Sequence, residues 1–298
     1  MIEPAGTIRT ALITGATSGI GRALAEELLR HGMSVIGVGR SEERCQAAET
    51  TLAQSFPESC VRYLIADLSL QAKVRTLHPR IEAQLSAWGR AGLDALVNNA
   101  GAFTFHRTLS AEGIEMQWAV NHLAPFLLTH ELLPLLRAAP SARVITVSSA
   151  SHYRTTIDWD DVELAHRYNP LRAYQQSKLA NVLFTAELRR RLGAASSVHA
   201  FAADPGLVNT RIGLKSGSII ARLFWELRRR SGISPAESAR GIAALLMDPD
   251  APAAHDVYWK HGEPVAPNPY ALDEDAGRRL WELSLSMCSL AKESSAGE

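Results

Sequence analysis

Short apolar runs alternate with segments of helical periodicity along most of the chain. Residues 10–14, 34–38, 63–65, 93–97 and 143–147 read as strands, apolar throughout in the manner of strands covered on both faces. Helices are expected between them. The first, 22–31, gathers Ala23, Leu24, Leu28 and Leu29 on one side and stops at Gly32. Helices at 42–54, 70–88 and 112–137 follow, the last kinked by Pro125. Residues 173–192 carry Leu179, Val182, Leu183, Ala186 and Leu192 at steps of three and four, an amphipathic helix. A helix at 235–247, a strand at 256–259, a Pro-rich turn through Pro269 and a helix at 273–289 complete the pattern. Strands alternating with helices imply an α/β fold. A chain of 298 residues without repeat or linker suits one large domain.

Composition narrows the setting. Thirty-one basic residues balance thirty-one acidic ones, so nothing global points towards nucleic acid. Cys45, Cys60 and Cys288 lie far apart, which argues against a metal cluster or disulfide framework and fits a reducing compartment. The first ten residues have no apolar core of signal type, and no apolar run reaches the ~18 residues of a membrane span. A cytoplasmic protein is expected.

Candidate chemistry sits where strands end. Gly15, Gly19 and Gly21 follow the first strand in the spacing G-x-x-x-G-x-G. They suit a tight turn, close backbone approach to a pyrophosphate, and close packing of the next helix. A plain loop would use glycines too, but between strand and helix the cluster reads as a phosphate loop at a helix N-terminus. The second strand ends in Gly39 and Arg40, with no acid before Glu42. Arginine there suits a ribose 2′-phosphate, which favours NADP(H) over NAD(H), with Arg22 as a second contact. Asp67, followed by Leu68, suits an adenine amine or, equally, a helix N-cap. Asn98 and Asn99 serve a turn or a ligand at the sheet edge. Asn121, between Val120 and Leu123, is a structural bridge or part of a proton path. Ser148 and Ser149 end the fifth strand. Tyr174 and Lys178 stand one helical turn apart on one face: an ordinary surface pair, which is what Y-x-x-x-K alone would suggest, or an acid–base device in which a neighbouring ammonium lowers a phenol pKa that is otherwise about 10.

Taken in order, TGATSGIG (14–21), NNAG (98–101), Asn121, VSS (147–149), YQQSK (174–178) and DPGLVNT (204–210) resemble the classical short-chain dehydrogenase/reductases over nearly the whole chain. VNHLAPFLLT (120–129), SKLANVLF (177–184) and RRLWELS (278–284) are similar to the retinol dehydrogenase and WW-domain oxidoreductase branch. So is the spacing of 25 residues from Ser149 to Tyr174. The resemblance implies a single doubly wound Rossmann-type domain with a parallel seven-stranded sheet, order 3-2-1-4-5-6-7. Its dinucleotide half would span about 8–150 and its catalytic half about 151–290, with a variable lid at 207–234. It implies that Tyr174 donates or accepts the proton and that Lys178 tunes it and holds the nicotinamide ribose. Ser149, rather than Ser148, would orient the carbonyl, and Asn121 would anchor a water linking Lys178 to solvent. The cofactor would meet Gly15, Thr17, Ser18, Gly19, Ile20, Gly21, Arg40, Asp67, Leu68, Asn98, Ala100 and Gly101. Pro205, Gly206, Val208 and Thr210 would cover the nicotinamide.

Three departures stand out. Ala124-Pro125 replaces a Gly-His pair, the N-terminal membrane anchor common in animal relatives is not in this sequence, and Asp204 stands where the branch often has His. Between Ser149 and Tyr174, Tyr153, Trp159 and Tyr168 suit loop packing or a substrate wall, and His152 a structural role. Segment 207–233 is amphipathic and locally basic: a lid over an apolar substrate, a peripheral membrane contact through 214–230, or a core-packed helix. The function implied is NADP(H)-dependent interconversion of an alcohol and a ketone or aldehyde. A catalytically silent NAD(P)-binding regulator is the alternative. An epimerase or dehydratase is disfavoured by the glycine spacing. The partners expected are a small apolar substrate and, at most, a second copy paired through the helices at 112 and 173.

Overall fold

The computed structural model describes residues 10–206, 233–253 and 255–291. Seven strands run parallel: β1 (Thr10–Thr14), β2 (Ser34–Gly39), β3 (Val61–Ile65), β4 (Ala95–Asn98), β5 (Ala142–Val147), β6 (Val198–Asp204) and β7 (Tyr258–Lys260). An eighth, β8 (Glu263–Pro264), pairs antiparallel with β7, giving the order β3-β2-β1-β4-β5-β6-β7-β8. The extra strand corrects the seven-stranded expectation. Two residues at a sheet edge carry no periodicity, and the β7–β8 turn needs positive φ at both His261 (55°) and Gly262 (87°). Strand order reverses between β1 and β4, the place where open α/β sheets bind ligands beyond their carboxyl ends.

Helices cover both faces: α1 (Gly19–Arg30), α2 (Glu42–Ser55), α3 (Gln71–Arg75), α4 (Leu77–Ala87), α5 (Met116–Trp118), α6 (Ala124–Arg137), α7 (Pro170–Leu192), α8 (Pro235–Met247) and α9 (Glu274–Met287). Strand side chains alternate between the two layers. Leu12, Ile36, Leu96 and Val144 pack with Ile81, Leu132, Leu183 and Leu280 of α4, α6, α7 and α9. Their neighbours Ala11, Ile13, Val35, Val97 and Ile145 pack with Leu24, Leu28, Leu52 and Ile242 of α1, α2 and α8. With both faces buried, β1, β2, β4 and β5 read without alternation.

Two long helices expected from periodicity are broken. Segment 70–88 divides at Thr76, because Pro79 has no N–H for the Arg75 carbonyl and Thr76 Oγ1 donates to the Lys73 carbonyl at 2.8 Å instead. Segment 112–137 is helical only from Met116. Glu112 lies outside it and caps α3, accepting the Gln71 and Ala72 N–H groups at 2.7 and 3.1 Å. After α5 comes a π-helical turn, Ala119–Leu123, and then α6, in which Pro125 takes the first turn. Pro125 cannot donate to the Asn121 carbonyl, so the backbone widens there rather than kinking.

The catalytic-helix candidate α7 starts earlier than expected, at Pro170, with Asn169 accepting the Leu171 and Arg172 N–H groups at 3.0 Å. It is buried almost from end to end because α9 lies along its outer side. Trp281 stands at 5.0 Å from the Phe126 ring and stacks on Phe184 at 6.0 Å, with Arg191 over it at 4.5 Å. No helix among the described residues is long and apolar enough to cross a membrane.

Candidate active site

The glycine loop is shaped by contacts that a side chain would block. Gly15 (φ +66°) and Gly19 (φ +56°) are left-handed, and a Cβ on Gly15 would lie 3.0 Å from Ala100 Cα. At Gly21 a Cβ would lie 2.5 Å from both Asn99 Nδ2 and the Gly15 carbonyl, so this glycine admits α1 against the loop and the 98–101 turn together. Thr14 ties that turn to β1. Its Oγ1 accepts the Asn99 and Ala100 N–H groups, each at 3.0 Å, while Asn99 Nδ2 donates to the Thr14 carbonyl at 2.8 Å. From below, Tyr63 Oη donates to the Ala16 carbonyl at 3.0 Å, its phenol pushed up to about 12 by burial. Ser18 caps α1 in extended conformation without spending its hydroxyl on the helix. A compact, Cβ-intolerant cradle at a helix N-terminus fits a dinucleotide pyrophosphate.

Around the cradle, placement separates the candidates. Arg40 is exposed at the end of β2. Arg22 donates to the Ala48 carbonyl at 2.8 Å, joining α1 to α2. Asp67 accepts the Ser69 N–H at 3.0 Å and hydroxyl at 2.7 Å, which makes it a turn residue rather than the helix cap. Asn98 is buried at its side chain. The amide is 2% exposed and donates to Thr129 Oγ1 at 3.0 Å inside the β4–α6 interface, leaving only backbone for a ligand.

At the carboxyl end of β5 the catalytic candidates meet. Lys178 is 4% exposed and its Nζ donates to the Val147 carbonyl at 2.9 Å, 5.7 Å from the Tyr174 ring centroid. Burial pulls the ammonium down to about 8, with Asp204 acting the other way. Ser148 is buried and donates to the Lys178 carbonyl at 2.8 Å, so it braces α7. Ser149 is half-buried and accepts the Ser151 N–H at 3.2 Å. Asn121, on the π-helical turn, accepts the Ala102 N–H at 2.7 Å. It donates to the Ala102 carbonyl and to Ser177 Oγ, both at 3.0 Å, and Ser177 Oγ donates to the Tyr174 carbonyl at 2.8 Å. With both amide hydrogens used, the Asn121 side chain locks loop to helix.

Sequence reasoning missed Phe103 and Phe105. Phe103 meets Tyr174 edge-on at 5.7 Å and Phe105 at 5.1 Å, an apolar wall beside the phenol, in a loop with no periodicity to flag it. The aromatics of the 150–170 segment are structural. Trp159 Nε1 donates to Tyr270 Oη at 2.9 Å, Tyr153 Oη donates to the Ala266 carbonyl, and Tyr168 Oη donates to Glu115 at 2.9 Å. His152 is buried and held between the Ser149 carbonyl and the Asn268 N–H. Pro205 and Gly206 follow β6, with the Ser238 hydroxyl donating to the Pro205 carbonyl. Val208, Thr210 and nearly all of the 207–234 segment lie outside the described residues.

Comparison with known proteins agrees with this geometry. The sequence pattern of the short chain dehydrogenase family matches residues 9–218. Mouse retinol dehydrogenase 14 is 34% identical over 297 residues, covering 95% of this chain and 87% of its own length. Mouse polyprenol dehydrogenase is 35% identical over 288 residues, covering 94% and 83%. A crystal structure of an uncharacterized protein from Mycobacterium paratuberculosis superposes with a TM-score of 0.71 at 32% identity, covering 97% of each chain. With a glycine turn at a helix N-terminus, the Tyr174–Lys178 pair and these relatives, the chain belongs to the short-chain dehydrogenase/reductase family of oxidoreductases, in the retinol dehydrogenase branch.

Proposed function

We propose that the protein interconverts an alcohol and a ketone or aldehyde on an apolar substrate, using NADP(H) in preference to NAD(H). The observation that carries this reading is Lys178, a buried ammonium pinned to the Val147 carbonyl beside the Tyr174 ring. When bound, the nicotinamide carries the hydride. Tyr174 gives its proton to the substrate oxygen in reduction and recovers it in oxidation, and Lys178 stabilises the phenolate left behind. Ser149 aims its hydroxyl at the oxygen on which negative charge develops. Asn121 Oδ1, which accepts the Ala102 N–H, keeps a second lone pair on which a water linking Lys178 to solvent would be anchored.

The dinucleotide would lie on Gly15, Thr17, Ser18, Gly19, Ile20 and Gly21, with Asp67 and Leu68 at the adenine end. Ala100, Gly101, Pro205 and Gly206 would stand near the nicotinamide. Exposed Arg40, at the end of β2, supports the 2′-phosphate preference. Phe103 and Phe105 support an apolar substrate, and the names of the relatives make isoprenoid alcohols and their aldehydes the first candidates.

Fluorescence titration with NADPH and with NADH, followed by aldehydes and ketones in the same cuvette, tests the reading. Tighter binding of NADPH and its oxidation on adding an apolar carbonyl is the expected result. Failure to bind either cofactor would remove the reading. Binding without turnover across a broad panel would favour a silent regulator, which nothing in the site favours while Asn121, Ser149, Tyr174 and Lys178 all remain.

A further inference from the structure

The two aromatic rings beside Tyr174 sit on a loop outside any helix or strand, so other contacts must hold them in place. That loop is pinned at three points. Ala102 exchanges two hydrogen bonds with the Asn121 side chain. At the far end the Met116 N–H donates to the Thr108 carbonyl at 2.8 Å. The middle pin is Thr104, which stands between Phe103 and Phe105 in the chain. The two rings meet at 5.1 Å, while the Thr104 hydroxyl reaches Tyr168 Oη at 3.0 Å.

Tyr168 is the hub of what holds Thr104. Its single hydrogen goes to Glu115 Oε1 at 2.9 Å, so the Thr104 hydroxyl is the donor to Tyr168 Oη. Gln117 Nε2 donates to the same oxygen at 2.8 Å and lies 3.4 Å from the Thr104 carbonyl. One hydrogen given and two accepted exhaust a phenol. Glu115 and Gln117 are buried, at 1% and 0% exposure, and Glu115 Oε2 accepts the Trp118 N–H at 2.7 Å. The segment that carries Tyr168 is itself held under strain. Leu164 is buried with a φ of 50°, a left-handed conformation that a bulky side chain disfavours. Just before it, Glu163 accepts the Glu115 N–H at 2.6 Å with its carboxylate and Arg107 Nε at 3.4 Å with its carbonyl. Asp161 closes the same turn, accepting the Ala165 and His166 N–H groups at 2.7 and 3.0 Å.

A buried carboxylate, a buried amide and a strained leucine are poor material for plain packing, where apolar side chains of the same volume often do as well or better. A hydrogen-bonded hub instead fixes one arrangement of the loop it holds. We propose that Tyr168 is a positioning residue that sets substrate specificity: through Thr104 it fixes the Phe103–Phe105 wall beside Tyr174, and so favours long apolar carbonyl substrates over short ones. Tyr168 spends its hydroxyl inside the network and acts through the wall. The proposal deepens the oxidoreductase reading and rests on it for its substrates.

Two readouts test it on Tyr168→Phe and on Thr104→Val, each of which deletes one hydroxyl and nearly keeps the side chain's shape. Hydrogen exchange, followed without cofactor or substrate on peptides covering 102–109, should quicken on the order of tenfold, the worth of one buried hydrogen bond. Peptides covering 14–21 should exchange as before. In turnover with NADPH and straight-chain aldehydes from butanal to dodecanal, the loss in kcat/KM should grow with chain length. It should reach about tenfold at dodecanal and fall on KM rather than kcat. Thr104→Ser keeps the hydroxyl and should follow the wild-type profile, and the double variant should be no worse than either single one. Unchanged exchange at 102–109 in folded Tyr168→Phe overturns the clamp; if that variant does not fold, Thr104→Val decides it on the same peptides. An equal loss at every chain length overturns the selectivity, since a fall in stability alone does not sort aldehydes by length. A wild-type protein that reduces no aldehyde removes the oxidoreductase reading instead, and the exchange then decides the clamp by itself.

Discussion

Tyr174 and Lys178 meet because four residues make little more than one helical turn, and the consequences are those of single atoms. Tyr174→Phe removes one hydroxyl and keeps the ring that Phe103 touches. Turnover is expected to fall on the order of 10²–10⁴-fold with NADPH affinity nearly unchanged, measured as kcat beside a fluorescence Kd. A near-normal kcat would take Tyr174 out of the mechanism. With burial pulling the Lys178 ammonium down to about 8, the rate of carbonyl reduction, followed against pH, should hold at neutral pH, where the ammonium is charged, and decline as pH rises through that value. At the far end of the cofactor, Arg40→Asp replaces an exposed cation by an anion where a phosphate would lie. The NADPH/NADH ratio of kcat/KM should drop by about tenfold or more, roughly 1.4 kcal/mol. An unmoved ratio would put the phosphate contact elsewhere.

Among the elements, the π-helical turn at Ala119–Leu123 carries most of the local tension between sequence and site. It presents Asn121 to the 102 loop and, one residue on, buries His122 completely. Ser284 Oγ spends its hydrogen on the Leu280 carbonyl at 2.7 Å, so His122 Nε2, 2.8 Å away, is the donor, and Nδ1 meets no hydrogen-bond partner among the described residues. Burial pulls this imidazole down to about 3 from 6.5. The unfolded chain therefore takes up a proton that the native state refuses. The stability linked to His122 is whole above about pH 6.5 and is lost as pH falls towards 3, by up to about 1.4 kcal/mol per pH unit. Urea midpoints of His122→Gln should show a shallower acid slope than wild type between about pH 6 and pH 4; parallel slopes would contradict the assignment. The π-helical turn is not legible in sequence, because one extra residue per turn leaves the apolar rhythm of 112–137 almost intact. The breaks at Thr76 and Met116 are hidden for a similar reason. By contrast β1, β2, β4 and β5 fall close to their apolar runs, since a strand buried on both faces leaves no polar interruption. The Tyr174–Lys178 pair is legible because its geometry is local to one helix. Thr14, Tyr63 and Phe103 are not, because their part depends on which loop or strand lies opposite.

At the scale of the molecule, α9 decides what the outer side of α6 and α7 can do. Trp281 and Leu285 cover Phe126 of α6 and Phe184 of α7. The approach is close: a Cβ on Gly277 would lie 2.4 Å from Arg190 Nη2. Trp281→Ala should therefore cost about 3–5 kcal/mol, seen as a lowered urea midpoint, and promote concentration-dependent association visible by light scattering. A variant as stable as wild type would show that α9 is dispensable to the core. The seal is completed across great sequence distance, with Gln71 Nε2 donating to the Met287 carbonyl at 2.9 Å and Arg75 donating to that of Cys288. On the ribosome, where elongation runs at about 5–20 residues per second, α7 emerges well before the helix that covers it. A nascent chain that already bears Tyr174 and Lys178 thus still displays a bare apolar flank, open to chaperones and to neighbouring nascent chains. A stop codon ahead of α9 would leave that flank uncovered for good.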